Sequence, residues 1–359
     1  MKIGKFCGKI NKSNCTHFKE EARHGCEHTM KENIKDNLEK VVVFSLSPVL
    51  ALVNLLVTAK NRKYIKKPLG QFITVSGHKM SVYVTGQGEH TIVFLPGLWR
   101  TCPILDFKPL FSQLEDEYRI VVPEKYGYGQ SDIVKENRDF ETIVEQYREA
   151  LSKLEIKPPY ILCAHSLSGH DVQLWEQKYP EEVEAFIGLD ANIANCPEID
   201  FNYKHLWWED RFLERFYAIT GYIRTADLYG LDKALSKEEV RVIKELAVRN
   251  NGNYDCYSEE LNYLAAHKLI NSRPLPTQPT LQFVDTPEWY QDGVMKPHKK
   301  DEWDDHMITW VKAHQEYVDY VASVSPARII HRSTGHVMHH YDYVEMAEEI
   351  KEFLREVFP

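Results

Sequence analysis

Ser166 stands in the run Tyr160-Ile161-Leu162-Cys163-Ala164-His165-Ser166-Leu167-Ser168-Gly169. A short apolar, β-prone segment ends abruptly at a serine, and a helix-competent stretch from Asp171 to Tyr179 follows at once. A strand-to-helix turn this sharp strains the backbone of its central residue and pushes the side chain outward, the posture of a nucleophile. The residues two before and two after the serine pass close together and must be small. Here they are Ala164 and Ser168, where the G-x-S-x-G pattern has glycine. The same run also reads as a buried strand followed by a helix-capping serine, so the partners decide.

A serine hydroxyl attacks an acyl carbon once a neighbouring base takes its proton, and a histidine oriented by a carboxylate is the usual base. On a turn of this kind the acid and then the histidine follow the serine, at the carboxyl ends of later strands. His336, in Ser333-Thr334-Gly335-His336-Val337, lies beyond the last predicted strand and before the final helix, and is the candidate base. Its neighbours His331, His339 and His340 are placed less well. His165 and His170 flank the serine, but their side chains are expected to leave the turn in other directions. Three carboxylates compete for the acid. Asp190 ends the strand Ala185-Phe186-Ile187-Gly188-Leu189, while Asp285 and Glu288 follow the next one, in Phe283-Val284-Asp285-Thr286-Pro287-Glu288. We rank Asp190 first, Glu288 second and Asp285 third; a cap at a strand end is the competing account of Asp190. The backbone N–H of Leu167, at the start of a helix, and that of Leu98, in Pro96-Gly97-Leu98-Trp99, are the expected donors to a developing oxyanion.

The elements that would position these groups follow from hydrophobic pattern. From about Pro68, short strands alternate with amphipathic helices, the signature of a mostly parallel sheet. Strands are predicted at 71–75, 80–85, 91–95, 119–122, before Ser166, and at 184–189, 280–284 and 327–331. Helices are predicted at 108–116, 139–154, 303–322 and 343–357. Between Asn192 and about Pro279 no strand is evident, so 192–279 reads as a helical insertion and a candidate lid. Its first half is aromatic, with Trp207, Trp208, Phe212 and Phe216 among others, and a minority of these rings could line an apolar acyl pocket.

With 359 residues, 43% of them hydrophobic and 27% charged, the chain is long enough for one large α/β domain with additions. A net charge of -9 argues against a nucleic-acid binder. The sequence carries no glycine-rich phosphate loop and gives no reason to expect a cofactor. Seven cysteines form no regular framework, and free thiols are expected, with Cys163 a small core residue. Cys7, Cys15 and Cys26 alternate with His17, His24 and His28 but match no zinc spacing.

Residues 41–59 carry no charge and are mostly Val, Leu and Ala. Nineteen helical residues cover roughly 28 Å, about the hydrocarbon thickness of a bilayer. The expected organisation is a polar tail at 1–40, a single membrane-spanning helix at 41–59 in contact with lipid, a basic linker at 60–67 and a large domain at 68–359. Lys60, Arg62, Lys63, Lys66 and Lys67 follow the apolar run with no acid before Glu89. The positive-inside rule then places the large domain on the cytoplasmic side of the cell membrane.

From about residue 68 onward the chain resembles the α/β-hydrolase superfamily. The Pro96–Trp99 loop, Tyr126-Gly127-Tyr128-Gly129-Gln130-Ser131-Asp132, the Ala164–Gly169 elbow and Gly335-His336 carry the resemblance. It looks closest to a bacterial branch with an N-terminal membrane segment, an H-S-x-S-G elbow and a G-L-D sequence, here Gly188-Leu189-Asp190; the forty-residue leader departs from that branch. The resemblance implies an α/β-hydrolase fold and hydrolysis of an ester, thioester or amide, and it favours Asp190 as the acid. A small-molecule acyl substrate with an apolar acyl part is the reading that results. Its rivals are a non-catalytic ligand receptor or membrane scaffold on the same fold, and an acyltransferase or cofactor-free peroxidase using the same residues.

Overall fold

The computed structural model describes residues 45–194, 196, 207–226, 228–291, 294–295 and 304–359. The chain divides into two units, Met1–Leu56 and Val57–Pro359. In the larger one, eight strands form a single sheet: β1 (Gln71–Val75), β2 (His78–Thr85), β3 (Thr91–Leu95), β4 (Arg119–Glu124), β5 (Tyr160–His165), β6 (Val183–Leu189), β7 (Thr280–Asp285) and β10 (Ala327–Arg332). Their order is β1-β2-β4-β3-β5-β6-β7-β10. The β1–β2 and β2–β4 pairs are antiparallel, and every later pair is parallel. A two-stranded ribbon, β8 (Tyr290–Gln291) and β9 (Val294–Met295), stands apart.

Strand β5 shows why the sheet is a middle layer. Leu162 and Ala164 point into one hydrophobic core and Ile161 and Cys163 into the other, the two-residue alternation of a strand covered on both faces. Helices α3 (Phe140–Lys153), α4 (Gly169–Lys178) and α10 (Asp304–Ala322) close the first core; α2 (Pro103–Phe111) and α11 (Tyr343–Val357) close the second. Helix α11 buries Met346, Ala347, Ile350, Phe353 and Leu354, a stripe at the 3.6-residue period. Helix α2 begins five residues earlier than the sequence suggests. Pro103 occupies its first turn, where a missing N–H costs nothing, and Pro109 is tolerated inside it. Cys102, Cys163, Cys196 and Cys256 are buried free thiols; Cys7, Cys15 and Cys26 lie outside the described residues.

The described residues of the insertion between β6 and β7 are helical: α5 (Trp207–Thr220), the single turn α6 (Leu231–Ala234), α7 (Lys237–Asn250), α8 (Tyr254–Leu261) and α9 (Tyr263–Asn271). Helix α8 is fastened to the loop after β4. Its cap Asn253 donates to the carbonyl of Gly127 at 2.9 Å, and Asp255 accepts from the N–H groups of Val134 and Lys135, both at 2.7 Å.

A helix, α1, runs over 45–66. No helix among the described residues is long and apolar enough to cross a membrane, so the expected span at 41–59 gains no support from the fold. Residues 41–44 lie outside the described residues, and the last turns of α1 carry Lys60, Arg62, Lys63 and Lys66, which end the apolar run.

Candidate active site

Strand β5 delivers Ser166 at the carboxyl edge of the sheet with φ +53°, and α4 starts three residues later. The turn is held from three sides. Ser168, fully buried, donates its hydroxyl to the carbonyl of Pro96 at 2.5 Å. Asn192 N–H donates to the carbonyl of Ser166 at 2.8 Å. A Cβ on Gly97 would stand 2.8 Å from both Ser166 Cβ and the His165 ring, so only glycine fits where the 96–99 loop crosses the elbow.

Asp190 follows β6 with φ +47°, a turn that carries its carboxylate back over the sheet edge. His336 donates from Nδ1 to Asp190 Oδ2 at 2.6 Å. That bond selects the tautomer of an uncharged ring: with the proton on Nδ1, the lone pair lies on Nε2, where a general base needs it. Trp310 Nε1–H, from α10, and the Asp285 N–H hold the other carboxylate oxygen at 2.8 and 3.0 Å. Burial pushes the Asp190 carboxyl up, but the hydrogen bond and charge of His336, with the Asp285 N–H, outweigh it and hold Asp190 below the ordinary carboxylate range. Asp285 itself, at the end of β7, accepts from Gly335 N–H at 3.1 Å. Burial first, and the Asp190 charge second, push its carboxyl up to about 6.

Ser166, His336, Asp190 and Asp285 line one cavity of about 440 Å³, as do Leu98 and Leu167. Trp99, Tyr263, Met307 and Trp310 supply much of its apolar wall. The aromatic side chains described in the first half of the insertion, Phe212, Phe216, Tyr217, Tyr222 and Tyr229, do not line it. Phe201, Tyr203 and the side chains of Trp207 and Trp208 lie outside those described. Glu288 is exposed and stands outside the cavity, so of the three candidate acids it alone is not brought to the site. Seven non-glycine residues among those described have positive φ, and three of them, Trp99, Ser166 and Asp190, line this cavity. Such conformations cost about 1–3 kcal/mol each and persist where the surroundings over-determine them, most often at functional sites.

A model of the Alpha/beta hydrolase family matches residues 92–349. The chain belongs to that family. It is 30% identical over 334 residues to the uncharacterized protein YbdG of Bacillus subtilis (strain 168), covering 89% of this chain and 97% of YbdG. Among solved structures, a thermophilic esterase from Thermogutta terrifontis aligns with TM-score 0.55 at 18% identity, over 81% of this chain and all of the esterase. A putative lipase from Acinetobacter baumannii AYE aligns with TM-score 0.57 at 14% identity, over 85% and 96%. These likenesses establish the hydrolase fold.

Beside this hydrolase-family elbow lies a group of buried histidines, His165, His339 and His340. His165 stays outside the lining of the cavity that Ser166 enters. It is buried, its Nε2–H donates to the carbonyl of His336 at 3.0 Å, and its ring lies 4.7 Å from the His336 ring. Burial, reinforced by the neighbouring His336 and His339, keeps His165 neutral, well below the usual histidine range. Behind it, Asp106, His339 and His340 are buried with ligand atoms within 4.8 Å of one another, a set that could hold a metal ion. Arg100, however, already supplies the cation there, donating from Nε and Nη2 to both Asp106 oxygens. No string feature marks this cluster beyond His339-His340 itself, since Asp106 arrives from α2.

Proposed function

We propose that this chain is a serine hydrolase of carboxylic esters with an apolar acyl part. Ser166 Oγ attacks the acyl carbon as His336 Nε2 takes its proton. Asp190 holds the imidazole in the required tautomer and stabilises the imidazolium, and the N–H groups of Leu98 and Leu167 receive the oxyanion. Collapse of the tetrahedral intermediate expels the alcohol, protonated by His336, and leaves an acyl-Ser166. Water, activated by the same histidine, then releases the acid. One observation carries the reading: the 2.6 Å His336–Asp190 bond lies in the same cavity as a serine held at φ +53° on a strand-to-helix turn. The apolar wall of that cavity supports the choice of acyl part. A fluorophosphonate probe is expected to label the protein, and Ser166→Ala to abolish both labelling and turnover of aryl esters. Ester hydrolysis that survives the substitution refutes the proposal, and saturable ligand binding without any labelling favours a receptor instead.

We infer also that the chain works at a membrane, attached through 41–59, with the basic flank and the hydrolase domain on the cytoplasmic side. Leu46, Val49, Leu52, Leu55 and Leu56 are exposed on α1, and the cations from Lys60 to Lys67 suit an anionic lipid surface. Removal of residues 1–67 should release the protein from the membrane fraction; retention there contradicts the inference.

A further inference from the structure

The loop that offers Leu98 N–H is not held by its own sequence. Trp99 sits at φ +62°, a strained conformation for a bulky residue. Its N–H donates to the hydroxyl of Tyr128 at 3.3 Å, and Tyr128 in turn donates to Glu259 Oε2 at 2.8 Å. The other oxygen of Glu259 takes the ammonium of Lys125, in an ion pair whose side chains are each only 1% exposed. Lys125 lies 3.4 Å from the hydroxyl of Ser168, the group that binds the carbonyl of Pro96, and its ammonium stands 4.8 Å from the centre of the Tyr128 ring. Both ends of the 96–99 loop therefore run into one buried polar assembly. Its anchor, Glu259, comes from α8, and the Trp99 ring packs edge-on against Tyr257 of the same helix at 4.5 Å.

Stability alone is a poor reason for this arrangement. A buried ion pair seldom outperforms well-packed apolar residues of the same volume, so a charged pair under a strained loop points to geometry. Hydrogen bonds in a dry layer are strong and directional, which suits them to fixing a donor that must meet charge only as the reaction proceeds.

We propose that Tyr128 and Glu259, tied to Lys125, are positioning residues that fix the Pro96–Trp99 loop so that Leu98 N–H meets the oxyanion, making α8 part of the catalytic frame. This rests on the serine-hydrolase reading above.

Tyr128→Phe is the cleaner test, because it removes the acceptor of Trp99 N–H and leaves the Lys125–Glu259 pair intact. It is expected to lower kcat on a p-nitrophenyl ester about 10- to 100-fold, the size of effect a misplaced donor gives. KM should stay within about twofold, and affinity for a phenylboronic acid, which mimics the tetrahedral intermediate, should fall by about the same factor as kcat/KM. Glu259→Gln should show the same split, with thermal unfolding reporting separately on the loss of the ion pair. A Tyr128→Phe enzyme with unchanged kcat, or with raised KM and unchanged boronic-acid affinity, overturns the inference. Wild-type protein that neither hydrolyses the ester nor binds the boronic acid overturns the hydrolase reading, and this inference with it.

Discussion

Asp190 and Asp285 end neighbouring parallel strands, line the same cavity and differ in almost everything else. Asp190 is buried and gathers three donors, His336 Nδ1–H, Trp310 Nε1–H and the Asp285 N–H. Asp285 has the Gly335 N–H and lies beside a carboxylate that is already charged. The first is held below the ordinary carboxylate range and the second is pushed up to about 6. Two acids a strand apart are thus driven in opposite directions by donors rather than by burial, which acts on both in the same sense. The acid whose charge its surroundings favour is the one placed to support an imidazolium.

Replacing each acid in turn sharpens the contrast. Asp190→Asn is expected to cost about 10,000-fold in kcat, because an amide permits the wrong histidine tautomer. Steady-state kinetics would show it, and a loss under tenfold would shift the role to Asp285. Stability should respond as well. A carboxyl with a depressed folded value adds stability above its ordinary value near pH 4, lost as pH falls through the folded value. Asp190→Asn should therefore unfold more easily at pH 7, with the gap closing in acid.

Asp285→Asn should do the reverse. Its proton is bound more tightly in the folded state, so between about pH 4 and 6 folding stability falls as pH rises. Removing that charge should make the variant more stable than its parent at pH 7, the gain vanishing below about pH 4, in denaturant titrations across pH. Activity should drop by less than about tenfold, because the amide oxygen still accepts from Gly335 N–H. A destabilised Asp285→Asn protein at pH 7 would break the comparison. The smallest effect belongs to Glu288→Gln, whose kcat/KM should stay within about twofold of the parent, as befits an exposed side chain outside the cavity.

Much of this architecture is legible in the string. Strands β1 and β3 and helix α11 match the predicted bounds because Thr91–Leu95 is apolar throughout and Tyr343–Val357 keeps one helical period. Ser166 and His336 are legible from local turn signals, glycine and strand ends. The acid is legible only as a ranking, with Asp190 first, since Asp190, Asp285 and Glu288 all follow strands. What separates them is an indole from Trp310, 120 positions away, and a positive φ at Asp190. The tie of Lys125 and Tyr128 to Glu259 escapes the sequence for the same reason, although Tyr128 stands in a quoted motif: a buried pair joined across 134 positions leaves no local pattern. The contacts of His165 likewise depend on distant partners, Gly97 and the His336 carbonyl.

The most direct measurement is peptide mass spectrometry of the protein quenched during turnover of a p-nitrophenyl ester. A single acyl group on Ser166, absent from the Ser166→Ala protein and formed with a matching burst of nitrophenol, is the predicted result. Steady hydrolysis with no adduct at Ser166, or with the adduct on another residue, would contradict it.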